Sequence, residues 1–207
     1  MIKHIGVDES GKGDFFGPLC IAGVLVDEKI EKLFADAGIK DSKKISDKKI
    51  LELEKIIKAN AVNSVVAVSN WKYNELYAKI GNLNMLLAWG HARAIENICE
   101  KNQCDYALSD KFGDERLIQH ALMKNGRNIE LRQMVRAESD IAVAAASILA
   151  RAAYVRKMAE MEQAYGVKFP KGCSQLVKDA AKEFIAKYGK EKLKEVCKTH
   201  FKTYNEV

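Results

Sequence analysis

Apolar positions along the chain follow two periods, and the switches between them predict alternating strands and helices. Residues 3–7 and 19–26 read as strands, and the second, Leu-Cys-Ile-Ala-Gly-Val-Leu-Val, is apolar enough to be covered on both faces. A glycine-rich turn joins them. A short helix is expected over 28–36, and Ser46 then caps a periodic helix with Ile50, Leu53, Ile56 and Ile57 on one face. The β-branched run at 62–68 predicts a third strand. Residues 70–79 and 84–101 read as helices, the second carrying Met85, Leu86, Trp89, Ala92, Ile95 and Ile98 at helical spacing. A strand over 104–109 ending at Asp110, a helix over 114–124 and a strand over 129–135 follow. A long helix is expected from near Glu138 to about Tyr165, alanine-rich in its first half so that it can approach a sheet closely. Phe169-Pro170-Lys171-Gly172 interrupts the pattern, and two lysine-rich helices fill the tail to about Cys197. Five strands interleaved with helices imply an α/β layer protein. Its sheet must be mixed, because the link between the first two strands is too short for a parallel crossover.

Composition narrows the class without changing that picture. With 207 residues, 48% of them hydrophobic and 30% charged, the chain can bury a sizeable core and is most simply one domain. No window reaches the apolar length of a membrane span, and no signal-peptide pattern opens the chain, so a soluble, cytoplasmic protein is expected. Cys20, Cys99, Cys104, Cys173 and Cys197 form no CxxC pair, which indicates neither a disulfide framework nor a thiolate zinc site. The net charge of +6 is mild but unevenly spread, with lysines crowding 40–58 and 168–202. Basic surface around an acidic centre suits a polyanionic substrate.

The acidic centre is the candidate chemistry. Asp8, Asp110 and Glu138 each fall at a strand end or a helix start, where side chains from separate elements converge at one sheet edge. Glu9 completes the set. Neighbouring residues on a strand face opposite ways, so Asp8 and Glu9 are expected to share a site because the strand ends there, with Gly11 and Gly13 supplying the irregularity. Glu138 at a helix N-terminus is favoured as the anion, and Asp140 is expected on another side of that helix. Converging carboxylates repel one another unless a hard cation neutralises them. The lack of a histidine or cysteine ligand set points to Mg2+ or Mn2+ rather than zinc. Gly6 to Lys12 also spells G-x-x-x-x-G-K, which nearly satisfies a nucleotide-binding phosphate loop and leaves a nucleoside triphosphatase as a remote alternative, but it departs from that loop in three places. No Ser or Thr follows Lys12, two acids sit inside the loop, and a strand follows where a helix must begin.

The run from Gly6 to Leu19, Gly-Val-Asp-Glu-Ser-Gly-Lys-Gly-Asp-Phe-Phe-Gly-Pro-Leu, resembles the signature of ribonuclease HIII, within the type 2 ribonucleases H. Asp41-Ser42-Lys43-Lys44, Asn82-Leu83-Asn84 with Leu86-Leu87-Ala88-Trp89, Ser109-Asp110-Lys111-Phe112, Ala137-Glu138-Ser139, the run Ala145 to Arg151, Pro170-Lys171-Gly172 and His200-Phe201-Lys202 continue the match in the family's order. The resemblance implies a ribonuclease H-like fold with a helical C-terminal extension. It implies endonucleolytic cleavage of the RNA strand of RNA/DNA hybrids, with two Mg2+ or Mn2+ ions. Asp8, Glu9, Asp110 and Glu138 would be the acidic quartet, and Gly11, Lys12 and Gly13 the contacts to the ribonucleotide. Family members typically carry an N-terminal substrate-binding domain, whereas only seven residues precede Asp8 here: either the lineage lacks that domain or the chain was trimmed, and weaker hybrid affinity is then expected.

Beyond the quartet, Lys43, Lys44 and Lys171 are candidate phosphate contacts, as is Lys202. Trp71, Tyr73 and Trp89 sit in helical apolar patterns and read as core, and His91 and His120 read as structural. No obligate protein partner is evident. Two other functions compete: a ribonuclease HII-like enzyme that cuts at single embedded ribonucleotides, and a hybrid-binding module without catalysis. In ribonucleases HII a tyrosine beside the glycine of the segment matching 169–174 is expected to pack on the deoxyribose after a lone ribonucleotide, and that segment here contains none.

Overall fold

The computed structural model describes residues 2–40, 42, 45–111, 114, 116–123, 126 and 129–207. Strand β1 (Lys3–Ser10) pairs antiparallel with β2 (Leu19–Asp27), which pairs antiparallel with β3 (Asn63–Val68). On its other edge β1 pairs parallel with β4 (Tyr106–Asp110), and β4 with β5 (Glu130–Met134), so the mixed sheet runs β3-β2-β1-β4-β5. The predicted five strands and their mixed pairing are therefore present. One difference bears on the site: β1 does not end at Asp8. Glu9 and Ser10 remain in register with Ile21 and Cys20.

Helices cover both faces. Helices α1 (Glu28–Asp36), α2 (Asp47–Asn60) and α6 (Ile141–Tyr165) pack on one side, where Val24, Val26, Phe34, Ile50, Leu53 and the alanines of α6 share a core. Helices α3 (Asn70–Ile80), α4 (Leu83–Cys99) and α5 (Arg116–Ala121) cover the other, against Ile5, Val7, Ile21 and Leu25. The two core sets show which way β1 alternates: Ile5 and Val7 face α4, and Gly6 faces α6. At Gly6 a Cβ would lie 2.1 Å from the Ala142 carbonyl carbon, so glycine lets the alanine-rich start of α6 rest directly on the strand.

Helix α6 begins later than the sequence predicts. Asp140 caps it, its Oδ1 accepting the Ala142 and Val143 N–H groups at 2.9 and 3.1 Å, and Glu138 lies in a separate 3-10 turn, Ala137–Ser139. The tail also departs from expectation. After α7 (Gln175–Tyr188) the second lysine-rich segment is helical only over α8 (Lys190–Leu193). The chain then folds back so that Cys197 bridges Phe16, and α9 (Lys202–Glu206) follows. The cause is a third apolar cluster in which Phe15, Phe16, Tyr154, Phe169, Phe184, Leu193, Val196 and Cys197 bury one another. It anchors the β1–β2 turn to the C-terminal region. Trp71, expected in the core, is 70% exposed, because the buried stripe of α3 runs through Tyr73, Leu76, Tyr77 and Ile80 and leaves Trp71 off it.

Candidate active site

The quartet meets in a cleft of about 590 Å3 lined by Asp8, Glu9, Asp110 and Glu138 together with the Gly11-Lys12-Gly13 turn, Ser42, Ser147, Arg151, Tyr154 and Lys171. The sheet explains the convergence. Asp8 and Asp110 sit one step beyond the last paired residues of neighbouring parallel strands, Val7 and Ser109, so they stand side by side facing α6. Glu138 joins from the turn ahead of α6, which is tied to β4 because Asp110 Oδ1 accepts the Arg136 and Ala137 amides at 3.1 and 3.5 Å. Arg136 takes a left-handed conformation (φ 60°) to make that corner.

Glu9 reaches the cleft from the opposite face. The expectation that both acids share a site because the strand stops is thus corrected: β1 continues, and the cleft wraps its carboxyl end from both sides. Glu9 Oε1 accepts from Lys12 Nζ at 3.0 Å, and Oε2 accepts from His91 Nε2 at 2.9 Å. Burial alone would raise the pKa of Glu9. The hydrogen bonds and charges of His91 and Lys12 overcome it and hold the value down at about 2. Asp140 faces elsewhere, engaged by the amides it caps and by His4 Nε2 at 3.0 Å.

The turn is held with unusual redundancy. Gly11 has φ +88°, and a Cβ there would lie 2.3 Å from the Pro18 carbonyl oxygen and 2.8 Å from the Tyr154 ring. Asp14 Oδ1 accepts the Gly172 amide at 2.6 Å, and the Phe15 amide donates to the Gly172 carbonyl at 2.9 Å, so the Pro170-Lys171-Gly172 segment is laced to the turn. The Lys198 ammonium, wholly buried, donates to the Asp14 and Gly17 carbonyls at 2.8 and 2.6 Å, and Tyr154 Oη donates to the Phe16 carbonyl at 3.2 Å. Gly13, by contrast, faces open space.

Lys171 lines the cleft and pairs with Asp47 at 3.2 Å; Arg151 holds the same carboxylate at 2.6 Å and reaches the Ser42 carbonyl. Burial would raise the pKa of Asp47, but the hydrogen bonds of Arg151 and Lys171 lower it. Lys43 and Lys44 lie outside the described residues. His120 is exposed on α5, and His200 stacks on Tyr77 with centroids 4.1 Å apart. His91, Arg151, Tyr154 and Lys198 escaped the reading of the sequence as site residues. His91 left a trace there as a polar residue in line with Leu87 and Ile95 on an apolar helix, and Arg151 as the end of the matched run from Ala145.

The donors facing the cleft are carboxylate oxygens, the chemistry that suits a hard divalent cation. Among the described residues no three His, Cys, Asp or Glu side chains are already drawn into a metal cluster. The acids line the walls, with Glu9 held by its basic partners and Asp110 by amides.

A family model for Ribonuclease HII matches residues 5–204. Ribonuclease HIII of Chlamydia felis is 49% identical over 207 residues, covering 99% of this chain and 69% of the relative, and that of Protochlamydia amoebophila is 45% identical, covering 100% and 69%. Among solved structures, Bst-RNase HIII in complex with Mn2+ superposes with a TM-score of 0.91 at 29% identity, covering 99% of this chain and 68% of that one. Fold, signature turn and relatives agree: the chain belongs to the type 2 ribonuclease H family, stands with the ribonucleases HIII within it, and is an endoribonuclease of the ribonuclease H type.

Proposed function

We propose that this cleft hydrolyses phosphodiesters in the RNA strand of RNA/DNA hybrids in the presence of Mg2+ or Mn2+, leaving 5′-phosphate and 3′-hydroxyl ends. The observation that carries the reading is the meeting of four carboxylates from three separate segments beside a turn whose exposed glycine lets a backbone approach closely. Asp8 and Asp110, side by side on the α6 face, are the residues that would hold cations in common, flanked by Glu9 and Glu138. When bound, two such ions neutralise charge developing at the phosphate and lower the pKa of the attacking water.

The chain's own groups supply the rest. The amides at Gly11 and Gly13 are positioned to read a 2′-hydroxyl, the one group that marks RNA at a given nucleotide. Lys12 and Lys171, which line the cleft, are proposed phosphate contacts, and Lys43 and Lys44 are further candidates from the sequence. The redundant tethering of the turn to the Pro170–Gly172 segment keeps both in place before substrate arrives, which lowers the reorganisation that binding requires. The proposed setting is the cytoplasm; no helix among the described residues is long and apolar enough to cross a membrane.

A labelled 20-base-pair hybrid incubated with the protein in Mg2+ and in Mn2+ tests the reading. Cleavage confined to the RNA strand, abolished by chelator, is expected. Binding without cleavage in either metal would favour a hybrid-binding module instead.

A further inference from the structure

The two oxygens of Glu9 are held by partners of different character. Oε1 meets Lys12, whose side chain is 41% exposed on the cleft turn and ends in a mobile four-carbon stem. Oε2 meets His91, whose side chain is 0% exposed within the packed interior of α4. An ionised carboxylate only accepts, so the hydrogen in that bond belongs to His91 Nε2. The helix is brought down for this contact. At Gly90, next to His91, a Cβ would lie 2.6 Å from Ile21 Cδ1, and Ile21 is the residue paired across the sheet from Glu9. Glycine at 90 thus lets α4 settle onto the strand pair exactly where the histidine must reach the acid.

That placement answers a geometric need. Asp8 and Asp110 face α6, whereas Glu9 faces α4 and must bend around the end of β1 to enter the same cleft. A glutamate has three side-chain rotors, and without a fixed contact it would spend much of its time pointing elsewhere. We propose that His91 is a positioning residue for Glu9: it holds Oε2 from the rigid side of the sheet and so presents Oε1 to the cleft, where it would serve as a ligand for a divalent cation. This inference rests on the metal-dependent reading of the cleft.

The test compares His91→Leu, which keeps an apolar filling of the site, with His91→Gln, whose amide restores a donor. Mn2+ binding to the free protein is measured by the loss of the free-ion electron paramagnetic resonance signal, alongside kcat and KM on a hybrid. His91→Leu is expected to weaken Mn2+ binding by roughly tenfold, the usual size for losing a group that orients a ligand, and to lower kcat with KM for hybrid little changed. His91→Gln should recover most of both. In a Glu9→Gln background His91→Leu should add no further loss of Mn2+ affinity, because the group it orients is already gone. If the leucine variant fails to fold, His91→Asn, whose shorter amide stops short of Oε2, takes its place. A folded His91→Leu or His91→Asn variant with wild-type Mn2+ affinity would overturn the proposal, as would a glutamine variant as impaired as leucine. Wild-type protein that neither binds Mn2+ nor cuts hybrid would instead overturn the proposed function itself.

Discussion

Gly11 and Gly13 flank the same lysine but answer to different constraints, and substitution separates them. Gly11→Ala forces a Cβ into the Pro18 carbonyl and the Tyr154 ring at a left-handed φ, so it should cost about 2 kcal/mol or more of stability and distort the turn. Gly13→Ala meets nothing within 4 Å and should leave the melting temperature within about 2 °C, since open surface changes stay within roughly 0.5 kcal/mol. If Gly13 lies against the substrate backbone, Gly13→Ala will still raise KM for hybrid; unchanged KM would remove Gly13 from the substrate path. The acids divide in the same way. Asp8→Asn, Glu9→Gln, Asp110→Asn and Glu138→Gln should each lose most activity while remaining folded, because each keeps its shape and loses its charge. Asp140→Ala should do the reverse, costing about 1–2 kcal/mol through the lost cap and retaining activity; a dead but fully stable Asp140 variant would show that the fourth acid was misassigned. The acids were legible in the sequence because Asp8 and Glu9 lie just ahead of the Gly11–Gly13 turn, Asp110 closes a strand and Glu138 stands just ahead of the long helix. His91 was not, since its meaning lies in a partner 82 residues away that only the approach of α4 to β1 supplies.

Elements carry the next set of consequences. Local pattern located the five strands and the periodic helices, since alternation and capping are written in neighbouring residues, as with Ser46 ahead of α2. Where local pattern competes with long-range packing it fell short: β1 runs on to Ser10 because β2 is there to pair with it, and the second tail helix stops because Val196 and Cys197 are drawn onto Phe15 and Phe16. Lys198 belongs to that same fold-back. Burial lowers its pKa to about 8, only partly opposed by the Asp14 carboxylate and the nearby Cys20 and Cys197, against 10.5 for an exposed lysine. The sign follows from proton counting. Between about pH 8 and 10.5 the unfolded chain holds a proton that the native chain has shed, so this group's contribution to stability rises with pH across that window, by up to about 1.4 kcal/mol per unit. Lys198→Met should abolish that slope. The difference in unfolding free energy between wild type and variant, followed in urea from pH 7 to 10, measures it, and a flat difference would mean that the ammonium is stabilised by its two carbonyl contacts as well as water would do. On the cleft side, Lys12→Ala and Lys171→Ala should each lower the slope of log affinity against log salt for hybrid by roughly 1. An unchanged slope for Lys171→Ala would leave that lysine serving Asp47 alone.

At the scale of the whole molecule the question is which substrate the assembled cleft prefers. The segment that faces the turn, Phe169 to Ser174, is fixed to it by the Gly172 amide and carbonyl, so on the proposed substrate path whatever it presents would stand next to the nucleotide beyond the scissile bond. Its one aromatic residue, Phe169, is 3% exposed and packed between Phe16 and Phe184 with centroids 4.9 and 5.9 Å away, which withdraws it from any sugar. Cys173, beside the glycine, is exposed but has no ring to stack. Tyr154, an aromatic that lines the cleft, is buried beneath Gly11 and donates to the Phe16 carbonyl. Among the described residues lining the cleft and the 169–174 segment, no aromatic offers a platform for the deoxyribose that follows a lone ribonucleotide, and on the proposed reading recognition would fall to 2′-hydroxyls read along the strand at the Gly11–Gly13 turn. A run of ribonucleotides supplies several such groups, and a single one supplies too few to fix the register of the phosphate. The protein should consequently cut within RNA tracts at least about tenfold faster than at one embedded ribonucleotide, the factor that about 1.4 kcal/mol of lost positioning produces. The contrast should be larger in Mg2+, whose strict octahedral demand tolerates a misplaced phosphate less well than Mn2+. Rates on the two substrates compared in each metal decide the matter: equality in Mg2+ would mean that the cleft specifies a single ribonucleotide without an aromatic platform and shares the specificity expected of ribonucleases HII.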